Sequence, residues 1–231
     1  MKNLLSIFVA AVLAFVLPIR PAQADDKPAA GVTKIACVGD SITYGAGVAD
    51  REHNSYPAQL QKLLGKEYEV KNFGVSGATF LKNGDKPYWK EKAFTSAKDF
   101  APDIVIIKLG TNDTKPQNWK HKDEFATDAK AMVEEFAALP TKPKIYLCHP
   151  VPAFPGNFGI RDEVIKNEVN PLVDQVAKET KSTVIDLYAA LADYGKLFPD
   201  KVHPNAAGAT VMTATIYKVL TGKDAPTPAP K

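Results

Sequence analysis

Ser41 has the surroundings expected of a nucleophilic serine. It lies in the stretch GDSITYG, directly after a short apolar run that is typical of a buried strand. A serine hydroxyl is a poor nucleophile unless a base removes its proton, so a histidine partner is needed. Of the 4 histidines in the chain, His53 and His203 each follow an aspartate at the D-x-x-H spacing, Asp50 and Asp200 respectively. Because the two patterns are alike, the pattern alone does not identify the base.

The surroundings of the two pairs favour Asp200 and His203. Asp50 and His53 lie in GVADREHNS, which reads as an ordinary hydrophilic loop. The stretch DKVHP instead leads into the last helical pattern of the chain, and Pro204 suits the first turn of that helix. Because a helix N-terminus disfavours a cationic ring, we expect His203 to be neutral and able to accept a proton. Asp200 would orient the ring and stabilise the imidazolium ion when it forms.

Three candidate hydrogen-bond donors follow the first three apolar strands. They are the backbone N–H groups of Ser41 and Gly74 and the side-chain amide of Asn112. Each alone has an ordinary explanation, because glycine and asparagine are common in turns. Acyl transfer needs such donors for the charge that develops on the carbonyl oxygen, and losing one typically raises the barrier by about 2.7–4 kcal/mol. Their shared position predicts an oxyanion hole.

Strand and helix patterns alternate between the two ends of the chain. Apolar strands are expected near residues 34–38, 68–73, 103–109, 144–148 and 183–187, and helices near 56–64, 90–100, 123–138, 164–176 and 206–220. Repeated strand-then-helix units with continuous apolar strands predict an α/β fold, with a parallel sheet covered on both faces. In such sheets function lies outside the carboxyl ends of the strands, which is where GDSITYG, Gly74 and GTND fall.

The two ends of the chain do not fit this core. Lys2 precedes an apolar run at residues 4–17, and AQA then ends at Ala24, which together form a secretory signal pattern. The run is shorter than the roughly 20 residues needed to span a bilayer. We predict a signal peptide at 1–24, a flexible segment at 25–32 and a disordered Pro-rich tail at 221–231. The mature protein would then be secreted or periplasmic, with no stable membrane insertion after cleavage.

Composition and charge narrow the class of protein. The chain has 231 residues, of which 45% are hydrophobic and 24% charged, as in an ordinary globular protein. Removal of the predicted leader takes away Lys2 and Arg20, which lowers the formal net charge from +3 to about +1. A nucleic-acid binder would usually be strongly basic, so no nucleic-acid partner is indicated.

The order and type of the motifs resemble those of the GDSL, or SGNH, hydrolases. GDSITYG resembles the first signature of that family, NFGVSG the second, GTND the third and DKVHPNAAG the last. The resemblance extends over most of the chain outside the predicted leader and tail. It implies Ser41 as the nucleophile with Asp200 and His203 as its partners. It also implies Gly74 and Asn112 as further oxyanion donors.

The fold that the resemblance implies is a flavodoxin-like, three-layer α/β/α sandwich. Its five-stranded parallel sheet would have the order 2-1-3-4-5 and its domain would occupy residues 33–220. One departure is small: Ile42 stands where the family name has leucine. In this order Cys37 and Cys148 lie on strands that are not neighbours, about two spacings of 4.8 Å apart, which exceeds the reach of a disulfide. We therefore expect two buried free thiols.

The activity that the resemblance implies is that of a serine esterase without metal or cofactor. The segment HPVPAFPGNFGIR carries Phe154 and Phe158, which we expect to form a rim for a sugar ring or a short acyl chain, with core packing as the alternative. Within the family, this segment followed by HPN-x-x-G looks most like secreted acetylesterases that act on sialic acids and plant polysaccharides. We therefore expect a carbohydrate ester as substrate, with acetyl as the acyl group.

Three other functions stay open at this point. A lysophospholipase or thioesterase would use the same triad on another acyl group. A carbohydrate-binding module would use the cleft without turnover, but it would not need a nucleophile beside a base. A metal-dependent hydrolase could use His149, Asp200 and His203 as ligands, although the sequence lacks a compact ligand spacing such as H-E-x-x-H.

Overall fold

The computed structural model describes residues 31–155 and 158–227. The predicted signal peptide at 1–24, most of the predicted segment at 25–32 and the end of the predicted tail lie outside the described residues. The strands are β1 (Thr33–Gly39), β2 (Tyr68–Gly74), β3 (Ile104–Lys108), β4 (Lys144–Cys148) and β5 (Thr183–Ile185). The helices are α1 (Ser41–Tyr44), α2 (Arg51–Asn54), α3 (Tyr56–Leu64), α4 (Lys92–Asp99), α5 (Pro116–Trp119), α6 (Phe125–Ala137), α7 (Asp162–Val164), α8 (Asn170–Thr180), α9 (Leu187–Leu191) and α10 (Ala206–Thr221). A π-helical turn, Ile165–Val169, joins α7 to α8 where the sequence predicted one continuous helix.

The five strands form one parallel sheet in the order β2-β1-β3-β4-β5, so the predicted topology is confirmed. The central strand β1 ends at Gly39. This residue is level with Gly74 of β2 on one side and Lys108 of β3 on the other. The loops that follow these three strands therefore begin side by side at one edge of the sheet.

Side chains of the strands alternate between two buried layers. On β1, Ala36 and Val38 face a cluster that includes α4, α6 and α8, whereas Ile35 and Cys37 face a cluster that includes α3, α9 and α10. All four side chains have no solvent exposure. Burial on both faces is what makes the strands continuously apolar rather than alternating. The predicted three-layer sandwich is thus confirmed.

Cys37 and Cys148 are buried free thiols, as predicted. Strand β3 lies between the strands that carry them. Burial raises the pKa of the Cys37 thiol to about 12, and burial likewise raises the pKa of Cys148. Both side chains therefore stay protonated at neutral pH and act as small apolar residues of the core.

The last helix, α10, is closed by a cap at each end. The side chain of Asn205 accepts a hydrogen bond from the N–H of Gly208 at 3.0 Å, and Gly222 ends the helix with a φ of 74°. The helix thus extends to Thr221, the first residue of the predicted tail, and residues 223–227 form neither helix nor strand. Within residues 31–155 and 158–227, no helix is both long and apolar enough to cross a membrane.

Candidate active site

Ser41 is the first residue of α1, directly after the sharp turn that follows β1. Asp40 caps this short helix, because its Oδ1 accepts a hydrogen bond from the N–H of Ile42 at 2.9 Å. The turn requires glycine at position 39, since a Cβ on Gly39 would lie 2.5 Å from the carbonyl oxygen of Lys108. The turn places the Ser41 hydroxyl at the carboxyl edge of the sheet, with 8% of the residue exposed.

The structure brings Ser41, His203 and Asp200 into one hydrogen-bonded series. Nε2 of His203 lies 2.8 Å from Oγ of Ser41. On the other side of the ring, Nδ1 lies 2.7 Å from Oδ2 of Asp200. One ring nitrogen therefore meets the hydroxyl and the other meets the carboxylate, which is the arrangement of a serine–histidine–aspartate triad.

The carboxylate of Asp200 is held by its own loop. Its Oδ1 accepts hydrogen bonds from the backbone N–H groups of Val202 at 3.0 Å and His203 at 2.7 Å. Lys201, between them, has the left-handed φ of 74° that closes this turn. Burial would raise the pKa of Asp200, but the hydrogen bonds from His203 and Val202 outweigh it and hold that pKa below its usual value. Asp200 is therefore a carboxylate at neutral pH and can stabilise a cationic ring.

Pro204 does not lie in the first turn of the last helix, and that prediction is wrong. Helix α10 begins at Ala206 and Asn205 is its N-cap, so His203 precedes the cap by two residues. The field of a helix end falls off within about one turn, so α10 acts on His203 only weakly. The loop of Asp200, rather than the helix, orients the ring.

The second D-x-x-H pair also forms, but at the protein surface. Nδ1 of His53 lies 2.8 Å from Oδ1 of Asp50, and the two side chains are 66% and 60% exposed. The hydroxyl of Ser41 is instead bonded by His203. His53 lies in the short helix α2, rather than in the loop that its surroundings predicted. The structure thus brings His203, and not His53, to the hydroxyl of Ser41.

Asn112 and Gly74, the predicted oxyanion donors, differ in their geometry. The buried amide of Asn112 donates one hydrogen bond to the carbonyl of Ala78 at 3.1 Å, which leaves the second hydrogen of the amide for a substrate oxygen. The N–H of Gly74 instead donates to Oδ1 of Asn72 at 2.9 Å. The need for glycine at 74 has a packing reason, because a Cβ there would clash with the backbone of Tyr44. The structure therefore does not support the predicted donor role of Gly74.

Gly77 is a candidate donor that the sequence analysis missed. It has a φ of 85° and lies in a turn closed by a hydrogen bond from the N–H of Ala78 to the carbonyl of Val75, 3.1 Å long. No residue in the described part of the chain accepts a hydrogen bond from the N–H of Gly77. The next carbonyl along the chain, that of Ala78, is the one that Asn112 binds. In the stretch GVSG, the second glycine, Gly77, rather than the first, Gly74, was therefore the residue that indicated a donor.

Asp113, next to Asn112, is a buried carboxyl group that the sequence analysis also missed. Its two oxygens accept hydrogen bonds from the N–H groups of Phe80 at 3.2 Å and Leu81 at 2.9 Å. Burial raises the pKa of Asp113 to about 7, although these hydrogen bonds oppose the shift. Asp113 thus fastens the loop after β2, which carries Gly77, to the turn that carries Asn112.

The arrangement of these motifs has a match among known families. Residues 37–211 match the model of the GDSL-like lipase/acylhydrolase family. This chain belongs to that family. The matched segment runs from β1 into α10 and so includes Ser41, Asn112, Asp200 and His203.

Relatives of this GDSL-like chain include larger esterases. An acetylxylan esterase from Xylanibacter ruminicola is 43% identical over 211 residues, which are 84% of this chain and 44% of that protein. A multidomain esterase from Ruminococcus flavefaciens is 26% identical over 226 residues, which are 83% of this chain and 29% of that protein. This chain therefore spans less than half the length of these curated relatives. The structure of a native aryl esterase from M. smegmatis has the same fold, with a TM-score of 0.67, 21% identity and coverage of 82% of this chain and 99% of that one.

The two phenylalanines predicted to form a rim lie in different surroundings in this GDSL-like domain. Phe158 is 55% exposed, and its ring centroid lies 5.6 Å from that of His203. Phe154 packs its ring against that of the buried Phe198, with the centroids 5.1 Å apart. Phe158 therefore stands beside the triad as a rim residue would, whereas Phe154 is partly buried and packs against the core, as the alternative prediction for it stated.

His149, considered as a metal ligand with Asp200 and His203, has other partners in the GDSL-like domain. Its Nε2 lies 2.9 Å from Oδ1 of Asp174, and its Nδ1 lies 3.1 Å from Oδ1 of Asp186. The residue is buried between these two carboxylates. Within the described ranges, no group of three or more histidine, cysteine or acidic side chains could hold a metal ion.

Proposed function

We propose that this chain is a serine carboxylic ester hydrolase that removes acetyl groups from carbohydrates through an acyl-enzyme. The observation that carries the proposal is the series from Asp200 through His203 to Ser41, with contacts of 2.7 and 2.8 Å. A nucleophile, a base and an orienting carboxylate in contact are the parts that acyl transfer needs. Membership of a lipase/acylhydrolase family supports the same reaction class.

The first half-reaction follows from this geometry. Oγ of Ser41 attacks the carbonyl carbon of the ester while Nε2 of His203 accepts the hydroxyl proton. The ring becomes an imidazolium ion, and the ionised Asp200 stabilises it through Nδ1–H. When the tetrahedral intermediate collapses, the bond from the acetyl carbon to the sugar oxygen breaks and His203 gives its proton to that oxygen, which leaves as a hydroxyl, while the acetyl group stays on Ser41.

The negative charge of the tetrahedral intermediate needs donors that are already in place. The proposed donors are the amide of Asn112 and the backbone N–H groups of Ser41 and Gly77. Gly77 replaces Gly74 in this role because the N–H of Gly74 is used by Asn72. A preorganised donor of this kind is worth about 2.7–4 kcal/mol of barrier.

The second half-reaction repeats the same steps with water. His203 removes a proton from a water molecule, and the resulting hydroxide attacks the acetyl carbonyl carbon. The same donors stabilise the second tetrahedral intermediate. Its collapse returns the proton from His203 to Ser41 and releases acetic acid, which ionises to acetate in water.

The proposed substrate class rests on the relatives and on Phe158. The curated relative at 43% identity is named an acetylxylan esterase, and a structural neighbour from Sinorhizobium meliloti is named a carbohydrate acetylesterase. The exposed ring of Phe158 beside His203 offers an apolar face on which a sugar ring can stack. These features favour an acetylated polysaccharide over a phospholipid or a thioester.

A panel of esters tests the reaction and its substrate together. We expect the purified enzyme to release acetate from acetylated xylan and to prefer p-nitrophenyl acetate to long-chain p-nitrophenyl esters. A serine-directed phosphonate should abolish both activities and a chelator should leave them unchanged. A preference for long acyl chains or for lysophospholipids would favour the lysophospholipase alternative. Binding of xylan without acetate release would favour a binding module.

The predicted export of the protein is part of the same proposal. An enzyme that acts on a polysaccharide meets its substrate outside the cytoplasm, and residues 1–24 have the pattern of a secretory signal. N-terminal sequencing of the protein from the periplasm and the culture medium tests both the cleavage near Ala24 and the location of the mature protein. An N-terminus at Met1 in the accumulated protein would contradict the signal-peptide prediction.

A further inference from the structure

Lys108, the last residue of β3, is a fully buried lysine. Its side chain and that of Asp40 have 0% exposure. Its Nζ donates hydrogen bonds to both carboxylate oxygens of Asp40, at 3.2 and 2.9 Å, and to Oγ1 of Thr111 at 2.7 Å. A buried ammonium group is costly unless it is paired and hydrogen-bonded. These three contacts use all three N–H bonds of the ammonium group.

Each partner of Lys108 is a neighbour of a proposed catalytic residue. Asp40 precedes Ser41 and caps the helix that begins with it. Thr111 precedes Asn112, whose amide is a proposed oxyanion donor. The side chain of Lys108 therefore joins the loop after β1, which carries the nucleophile, to the loop after β3, which carries the donor.

We propose that Lys108 is a positioning residue that fixes the separation between the Oγ of Ser41 and the amide of Asn112. The proposal rests on the proposed function, because it takes the roles of these two residues from there. The carbonyl carbon must meet Oγ while the carbonyl oxygen meets the amide, and a misplacement of about 1 Å can cost about 100-fold in rate. A short, rigid link between the two loops holds both groups at the right distance before the substrate arrives.

The contact with Thr111 argues for positioning over stability alone. Asp40 already neutralises the charge of Lys108, and a buried ion pair is by itself weak evidence for stability. The third hydrogen bond is directed at the residue before Asn112 rather than at a second carboxylate. It therefore adds a constraint on the donor loop that charge neutralisation does not require.

Thr111→Val tests the link without disturbing the ion pair. Valine has nearly the shape of threonine, so the change removes only the hydroxyl that accepts from Lys108. We expect kcat on p-nitrophenyl acetate to fall about tenfold with KM changed less than about twofold. The rate of inactivation by a serine-directed phosphonate should fall in parallel, because the phosphonate oxygen uses the same donors. Thr111→Ser keeps the hydroxyl and should recover most of both rates.

Thr213→Val is the matched control at a buried threonine of α10. The hydroxyl of Thr213 donates to the carbonyls of Ala209 at 2.8 Å and Tyr56 at 3.3 Å. This variant should lower stability to urea as much as Thr111→Val does, yet keep kcat within about twofold of the wild type. An unchanged kcat and phosphonate rate in Thr111→Val would overturn the positioning role of Lys108. Equal losses of kcat in the two valine variants would overturn it as well.

A double variant removes the whole link. Asp40→Asn with Lys108→Met eliminates both charges, so neither is left buried and unpaired, and asparagine can still cap α1. We expect a folded protein whose kcat is lower by at least about 100-fold. If the double variant does not fold, the Thr111 series decides the question alone. An active Ser41→Ala would refute the proposed function itself, whereas a normal Thr111→Val beside an inactive Ser41→Ala would refute only the role of Lys108.

Discussion

The Nε2 atom of His203 lies 2.8 Å from the Oγ of Ser41, although 162 residues separate the two in the chain. The contact forms because the turn after β1 and the loop before α10 meet at the carboxyl edge of the sheet. A base must be held within hydrogen-bond reach of the hydroxyl that it deprotonates. His203 meets this requirement through its bond to Asp200.

The two D-x-x-H histidines should differ sharply on substitution. We expect His203→Ala to lower kcat on p-nitrophenyl acetate by at least about 10³-fold, because triad residues act as a unit. The ring of His53 is exposed and meets Asp50 rather than Ser41, so His53→Ala should cost less than about tenfold. Severe and equal losses of kcat in both variants, each shown by circular dichroism to be folded, would mean that the base is misassigned or that His53 has a second role.

Asp200→Asn should keep the loop but lose the orientation of the ring. The asparagine oxygen can still accept from the N–H groups of Val202 and His203, so the turn is preserved. It cannot stabilise the imidazolium ion as a carboxylate does, and kcat should fall by about 10⁴-fold. Asp50→Asn, the same change in the exposed pair, should alter kcat less than about twofold. A kcat of Asp200→Asn close to that of the control would exclude Asp200 from the triad.

Asn112→Ala tests the oxyanion donor. The amide acts only on the charge that develops in the transition state, so kcat should fall by about 10²–10³-fold with little change in KM. Steady-state kinetics with p-nitrophenyl acetate separate the two constants. A rise in KM with a normal kcat would make Asn112 a substrate-binding residue instead.

The sheet and the triad were predictable from the sequence because their signals are local. The apolar runs, the glycines that end them and the stretch DKVHP each lie within a few residues. The distinction between Phe154 and Phe158 was not predictable in this way, because it depends on the packing of Phe154 against Phe198. Only the tertiary fold shows which of the two rings reaches the site.

The backbone oxyanion donor and the buried ion pair also could not be predicted, because both depend on contacts formed only in the folded chain. Gly74 and Gly77 both follow β2, and only the side chain of Asn72 decides which N–H is already used. Lys108 reads as the polar end of an apolar strand, and its partner Asp40 lies 68 residues earlier. Long-range pairing of this kind leaves no pattern in a single sequence.

The stability of the protein should depend on pH through Asp113. Burial raises its pKa from the ordinary 3.8 to about 7, so the folded chain keeps this proton over a pH range in which the unfolded chain has released it. In that range the contribution of Asp113 to stability falls as pH rises, and above it the contribution is constant. An asparagine at this position has only one oxygen, so it cannot accept from the N–H groups of both Phe80 and Leu81 with separate oxygens. Its side chain also does not titrate, so its contribution to stability does not change with pH. The stability deficit of Asp113→Asn should therefore be larger at pH 5 than at pH 8, by about 2.6 kcal/mol.

Urea unfolding of both proteins at the two pH values measures this difference. Because the comparison is between two proteins at the same pH, the other titrating groups of the chain largely cancel. A stability deficit that is the same at pH 5 and pH 8 would show that Asp113 titrates at its ordinary pKa in the folded protein.

Hydrolysis of p-nitrophenyl acetate by Ser41→Ala tests the proposed serine mechanism most directly. The hydroxyl is partly buried and its removal takes away no apolar contact of the core. The variant should therefore fold with the circular dichroism spectrum and urea midpoint of the wild type. Its kcat should fall by at least about 10³-fold, to the residual rate that binding and the oxyanion donors alone provide. It should also fail to incorporate a serine-directed phosphonate. Near-normal turnover by the folded variant would contradict the role of Ser41 as the nucleophile.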